Sequence, residues 1–248
     1  MALRSIKADL HVHTCLSPCA GLDMSPREVV NAALRKGLDL IAVCDHNSAE
    51  NVLAVKKAGE RNGLMVLGGM EVASAEEAHL LVYFDDDDDL LAFQDVIYRH
   101  LVGRNDEHSF GLQVIADDED GVSGFCDRLL IAATSLPAEK IVTAARSFRG
   151  NSLVIAAHVD RESFSLVGQL GFIPPQLGLD AVEISRQVTV AEAKKRFPDC
   201  ERYPIVTGSD AHKPEEIGGR FTSFTIENAS IAEIKKALAG RDGRKAVC

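Results

Sequence analysis

The chain has 248 residues, 46% of them hydrophobic and 26% charged, with a formal net charge of −10. That balance suits a globular protein with a full core, and the acidity argues against holding nucleic acid or an anionic membrane by bulk charge. No apolar run approaches a membrane span and the N-terminus lacks a long apolar leader, so the expected setting is the cytoplasm, with no membrane partner.

In chain order, the first apolar segment, ADLHVH, ends in His11 and His13 and runs into the loop TCLSPCAG. Ser25-Pro26-Arg27-Glu28 then reads as a helix start, with an N-cap, a proline at the first helical position and a capping-box glutamate, and Gly37 as the stop. The runs LDLIAVC (38–44), LMVLGGM (64–70), SLVIAA (152–157), DAVEIS (180–185) and PIVTGS (204–209) are apolar on both faces. Parallel strands buried between helices have that pattern. HLLVYF (79–84) is a further apolar segment, and helices are expected near 49–62, 87–101, 137–149, 189–197 and 230–239. This alternation predicts an α/β fold, a barrel, as one domain over residues 1–248. The polar, glycine-rich segment 103–125 breaks the rhythm and is expected to be an insertion or a cap over the sheet edge. The acidic run Asp85 to Asp89 is read as a solvated helix start, since it lacks the spacing and glycine of a calcium loop. The six cysteines are scattered and are expected as thiols.

Ionisable residues collect where the apolar runs end. Asp45-His46 follows the second, Glu71 the third, His158 the run SLVIAA and Asp210-Ala211-His212 the run PIVTGS, while His79 opens HLLVYF. The carboxyl ends of parallel strands share one face of a barrel, so these groups should converge there. Positions i and i+2 of a strand point the same way, so His-x-His and Asp-x-His each aim two donors at one point. A single histidine beside a strand is ordinarily a hydrogen-bonded rim residue, which is how His100 and His108 are read. His11, His13, His46, Glu71, His79, His158, Asp210 and His212 together predict a metal centre. They exceed the three or four protein ligands of one catalytic zinc and suffice for two or three divalent ions, of zinc, iron or manganese.

The segments DLHVHT (9–14), VCDH (43–46), GME (69–71), AHLL (78–81), AAH (156–158) and GSDAH (208–212) resemble, in order, the signatures of the PHP (polymerase and histidinol phosphatase) superfamily. The resemblance implies a distorted (β/α)7 barrel with its metal centre at the C-terminal ends of the strands, and metal-dependent phosphoester hydrolysis. It implies that His11, His13, Glu71 and Asp210 hold a first ion, and that Glu71 bridges to a second held with His79 and His158. His46 and His212 would hold a third with a residue of the loop after His13. Family members commonly offer an aspartate or histidine there. This loop has neither, and Cys19 is the nearest candidate, ahead of Cys15.

The expected function is hydrolysis of a small phosphorylated metabolite or nucleotide by metal-activated hydroxide attack on phosphorus. Arg161 and Arg186 are expected to contact phosphate oxygens. Asp45 is expected to protonate the leaving group or to orient a ligand. The alternatives are a nuclease acting on oligonucleotides and a non-catalytic metal-binding regulatory module. The acidic charge and the lack of a basic, aromatic-rich stripe count against the nuclease, leaving nucleic acid only as a short oligonucleotide substrate. Sequence sets no oligomeric state.

Overall fold

The computed structural model describes residues 2–149 and 151–248. The chain runs through β1 (Arg4–Val12), α1 (Pro26–Arg35), β2 (Leu40–Val43), α2 (Val52–Asn62), β3 (Met65–Ala73), β4 (His79–Phe84) and α3 (Asp87–His100). It continues through α4 (Glu107–Phe110), β5 (Val114–Ala116), β6 (Val122–Phe125), α5 (Ala138–Arg146), β7 (Ser152–Ala156), α6 (Leu166–Leu170) and β8 (Ala181–Ile184). The last elements are α7 (Val190–Arg196), β9 (Ile205–Thr207), β10 (Thr222–Ile226), α8 (Ile231–Leu238) and β11 (Lys245–Val247).

Nine strands form one sheet in the order β11-β10-β1-β2-β3-β4-β7-β8-β9. The steps β1-β2-β3 and β7-β8-β9 are parallel, whereas β4 runs against both β3 and β7, and β10 runs against β1 and β11. The link between β3 and β4 is too short for a parallel crossover, which needs a dozen or more residues, so β4 must return as a hairpin. The sheet curls until its ends nearly meet. Thr207 N–H donates to Thr222 Oγ1 at 2.8 Å, and beyond β9 Ala211 makes a parallel bridge with Val12. The architecture is therefore a mixed α/β barrel-like sheet, with nine strands where the resemblance implied seven.

Two cores follow from strand alternation. Ile6, Ala8, Leu10, Leu67, Leu81, Tyr83, Leu153, Ile155, Ala181 and Val206 fill the inside of the curled sheet. The opposite faces, with Val43, Met70, Val82 and Val154, pack against α1, α2, α3 and α5. The α1 start differs from expectation: Ser25 makes no side-chain cap bond, and Glu28 pairs with Arg35 at 2.5 Å rather than turning back. A capping box is present instead at Thr189 and Glu192. In the acidic run, Asp86 caps α3, Asp85 accepts from Ile231 N–H at the start of α8, and Asp87 pairs with Lys56.

Segment 103–125 forms α4 and the β5–β6 hairpin. It is tied to the loop after β1 by Val114 N–H to Cys15 O at 3.1 Å, and Asn51 bonds both Val114 O and Ala116 N–H. No helix among the described residues is long and apolar enough to cross a membrane. All six cysteines are unpaired thiols.

Candidate metal centre

Strand alternation alone does not aim His11 inward. Ile6, Ala8 and Leu10 face the inner core, so His11 would face out if β1 were regular. The β1–β2 register shifts between Asp9 and Val12, Val12 joins the outer core, and His11 and His13 turn toward the mouth. Asp9, fully buried, accepts from His11, Ser209 and Gly218 N–H at 3.3, 2.9 and 2.9 Å, which holds the irregular stretch. Burial lifts its carboxyl to about 6 against the pull of those bonds. Simple alternation suffices elsewhere: Leu67 inward brings Glu71 inward on β3, and Leu81 and Tyr83 bring His79 inward on β4. Gly69, between Leu67 and Glu71, leaves room for the Tyr83 ring, which an added Cβ would meet at 2.5 Å. His46 reaches Glu71 through a parallel bridge beyond β2. His158 and Asp210 both take positive φ, 27° and 51°, sparsely populated conformations that favour a constrained site.

Glu71 is the hub. Its Oε1 lies 2.9 Å from His79 Nδ1, 3.0 Å from His158 Nε2 and 3.5 Å from His11 Nε2. Its Oε2 lies 3.2 Å from His46 Nδ1 and 3.4 Å from His13 Nε2. Asp210 Oδ1 lies 3.4 and 3.2 Å from Nε2 of His11 and His13. His212 stacks on His13 at 4.2 Å between ring centroids. Three groups among the described residues have ligand atoms close enough to share an ion: His11-His13-Glu71-Asp210, His46-Glu71-His79 and His13-His46-His212.

Charges follow the same geometry. Burial opposes ionisation of Glu71, but the imidazoles of His79, His11 and His46 hold its carboxyl well below the usual range. Asp210 is likewise held down against burial, chiefly by His11 and His13. His11 is raised despite burial by Glu183, Asp210 and Glu71. Burial and neighbouring imidazoles push His46 well below its ordinary value and His212 to about 4.

The hydrogen bonds also fix which ring nitrogens face the centre. His11 Nδ1–H donates to the Glu183 carboxylate at 2.9 and 3.1 Å. Ser17 Oγ donates to Asp45 at 2.6 Å, so its lone pair accepts from His13 Nδ1–H at 2.9 Å. His212 Nδ1–H donates to Asp210 O at 2.9 Å. Neutral imidazole keeps one lone pair, on Nε2 where Nδ1 carries the hydrogen. His13 then keeps its lone pair on Nε2, 3.2 Å from His11 Nε2. The proton that Glu183, Asp210 and Glu71 favour on His11 bridges the two nitrogens, a place a divalent cation can take instead. With carboxylates alongside, the donor set fits a hard-to-borderline divalent ion.

Residues 9–126 match the family model of the PHP domain, and residues 195–242 match that of the PHP-associated region. Residues 9–126 thus carry a PHP domain, the family whose motifs the sequence resembles. An uncharacterized Bacillus subtilis protein is 25% identical over 99% of this chain and 65% of its own length. A phosphoribosyl 1,2-cyclic phosphate 1,2-diphosphodiesterase of Eggerthella lenta is 35% identical over 27% of this chain and 24% of its own length. The lesion-specific endonuclease Q of Pyrococcus furiosus shares the fold, with a TM-score of 0.73 and 20% identity over 98% of this chain. The chain spans 65% of the Bacillus relative and 58% of the endonuclease.

The centre opens into a cavity of about 200 Å³ lined by Cys19, His46, Glu71, His79, Ile131, His158, Arg161, Phe164, Asp210 and His212. A larger cavity, about 500 Å³, lies at the opposite strand ends around Leu40, Lys56 and Met65, away from the clustered donors. Cys19 is exposed on the smaller cavity but outside the three close groups, and burial of its sulfur with nearby Glu71 and Asp210 pushes its thiol to about 12. Arg161 Nη2 donates to Asp210 Oδ2 at 2.5 Å and lines the same cavity. Arg186 does not line it; Glu216 draws its guanidinium away at 2.7 Å. Asp45 also turns from the cavity, since Thr14 N–H, Thr14 Oγ1 and Ser17 Oγ occupy its oxygens at 2.6–2.7 Å. Its contact with the centre runs through Ser17 to His13. His100 bonds Ser135 and His108 lies on α4, both outside the cluster. Glu183 and Ser17 were absent from the sequence expectations. The one signal for Glu183 is its place between the apolar residues Val182 and Ile184 of the run DAVEIS.

Proposed function

We propose that the chain hydrolyses a small phosphorylated metabolite or nucleotide with the help of two or three divalent ions. The observation that carries this is the convergence of eight donors on one mouth, seven of them in groups close enough to share an ion and His158 3.0 Å from Glu71. Bound divalent ions supply an acidified water and positive charge opposite the non-bridging phosphate oxygens. His11, His13, Glu71 and Asp210 hold one ion in this reading. Glu71 with His79 and His158 holds another, and His46 and His212 a third, with Cys19 as its added donor. Zinc, iron and manganese all suit such ligands.

Arg161 is the phosphate-binding cation: Asp210 fixes one end of its guanidinium, and the residue lines the cavity. Arg186, held by Glu216, acts on the site only through Glu216, which accepts His212 N–H at 3.0 Å. Asp45 orients His13 by way of Ser17 rather than protonating the leaving group. Segment 103–125 is a cap beside the mouth of a single domain, acting in the cytoplasm. A cavity of about 200 Å³ and a net charge of −10 favour a small anion over a duplex, although endonuclease Q shares the fold.

The test is metal analysis of the purified protein joined to phosphate release from histidinol phosphate, nucleoside mono- and bisphosphates and short oligonucleotides. The control is the His11→Ala, His13→Ala double variant. Turnover of a small ester that vanishes in the control supports the proposal. Protein that binds no metal, or turnover unchanged in the control, overturns it, and cleavage of oligonucleotides alone transfers it to the nuclease.

A further inference from the structure

Phe164 is an unusual residue for the rim of a polar site. Half of its surface is exposed, its φ is 60°, and its ring stacks on His79 at 5.1 Å with 21° between planes. Left-handed φ is rare for an aromatic residue, so the surrounding bonds must impose it. They do: Phe164 O accepts His79 N–H at 2.9 Å, while Ser165 Oγ ties back to Arg161 O at 2.7 Å and accepts Gly168 N–H at 2.8 Å. The turn is also too tight for a side chain at Gly168, where a Cβ would meet Glu162 O at 2.3 Å.

Arg161 and Phe164 also line a second cavity, about 340 Å³, that adjoins the metal mouth. Ser163 and Gln187 border it, with Glu162 and Arg196 giving one charge of each sign. Its far wall is anchored: buried Asp160 binds Ser185 N–H and Oγ at 2.7 and 2.6 Å, and Ser185 Oγ accepts Gln187 N–H at 3.1 Å. A phosphoester bound at the metal mouth therefore has a preformed neighbouring trough for its alcohol half, reached past Arg161 and walled by an aromatic face and an amide.

We propose that this trough is the leaving-group subsite and that it takes an alcohol bearing a flat ring, stacked on Phe164 with its polar edge toward Gln187. The proposal rests on the phosphoesterase function and narrows its substrate class. An aromatic face binds any planar ring, and truncating such a face to alanine weakens stacking by roughly ten- to hundred-fold.

Binding of phenylphosphonate and methylphosphonate to the Mn²⁺-loaded protein, followed by calorimetry, tests it, because neither C–P bond is hydrolysed. The wild type should prefer phenylphosphonate by roughly ten-fold or more. Phe164→Ala should abolish that preference while leaving methylphosphonate affinity and metal content unchanged, and Phe164→Trp should keep it. Equal affinity for both probes in the wild type overturns the subsite. So does an equal loss of both in Phe164→Ala, which is what a residue that merely braces His79 would give. If the metal-loaded protein binds neither phosphonate, the phosphoesterase function itself fails, and the subsite with it.

Discussion

Glu183 grips His11 from behind. Both carboxylate oxygens lie within 3.1 Å of His11 Nδ1, and Oε2 also accepts His158 N–H at 3.0 Å. One buried acid thus sets the tautomer of one donor and the backbone position of another. Replacing it by an amide, Glu183→Gln, removes the charge that fixes the imidazole and should weaken metal affinity by roughly ten- to hundred-fold. A competitive metal titration reads this directly, and unchanged affinity would deny Glu183 its orienting role.

Gly208 borders the same pair. A Cβ there would meet Glu183 Oε1 at 2.6 Å and His11 Cβ at 2.9 Å, and the second neighbour cannot swing aside. Gly208→Ala should therefore loosen metal binding at least as much as Glu183→Gln, with a lower melting temperature in the same preparation. Wild-type behaviour in both measurements would show that the site tolerates movement of His11.

Cys19 occupies the loop in which the family resemblance implied an aspartate or a histidine. The metal-free thiol is held protonated by burial and by Glu71 and Asp210, and a bound cation would reverse that bias. Cys19→Ser should lower the number of ions retained after dialysis by one while the others remain. A full count at unchanged affinity would leave the thiol as a rim residue.

Removing metal should destabilise the fold. The imidazoles and carboxylates crowded around Glu71 are brought together only by folding, so an ion bound only by the native state adds to stability. At an ion concentration a thousand-fold above Kd the gain is about 4 kcal/mol per site, on the order of 10 °C for a chain of this size. Melting with and without a chelator should show the drop, and re-addition of Mn²⁺ or Zn²⁺ should reverse it. Identical curves would mean that no ion is bound.

A separate pH dependence comes from α8. Arg244 and Lys236 engage Glu233 at 2.6 and 3.0 Å, and the Arg244 bond is the leading reason its carboxyl falls to about 2. A carboxyl lowered on folding contributes stability that is complete above its ordinary value near 4.5 and is lost as pH falls through about 2. The urea midpoint of wild type should exceed that of Glu233→Gln at pH 6 and converge on it toward pH 2. A gap that persists at low pH would place the stabilisation elsewhere.

Much of this was legible because it depends on local pattern. Strands apolar on both faces declared the central sheet, and the acids and histidines at their ends declared that these side chains converge. β10 and β11 were not expected: TSFTI alternates small polar residues with buried ones, and KAV is a three-residue edge, so neither forms an apolar run. The orientation of charged side chains was hidden for a different reason. Nothing near Arg186 announces Glu216, thirty residues on, and nothing near His11 announces Glu183, 172 residues away. Local sequence located Asp45 beside His46, but the direction of its oxygens is decided by Thr14 and Ser17 across the barrel mouth.

The parallel bridge between Val12 and Ala211 has a temporal meaning. It joins the first two donors of the cluster to the last two, so the set spans residues 11 to 212. A nascent chain can fold its early strands around His11, His13, His46 and Glu71, yet Asp210 follows Glu71 by a further 139 residues. Closing so long a loop is slow compared with forming local contacts. Metal capture by the full set of donors accordingly waits on that closure, and it reports that the first and last donor segments have been brought together.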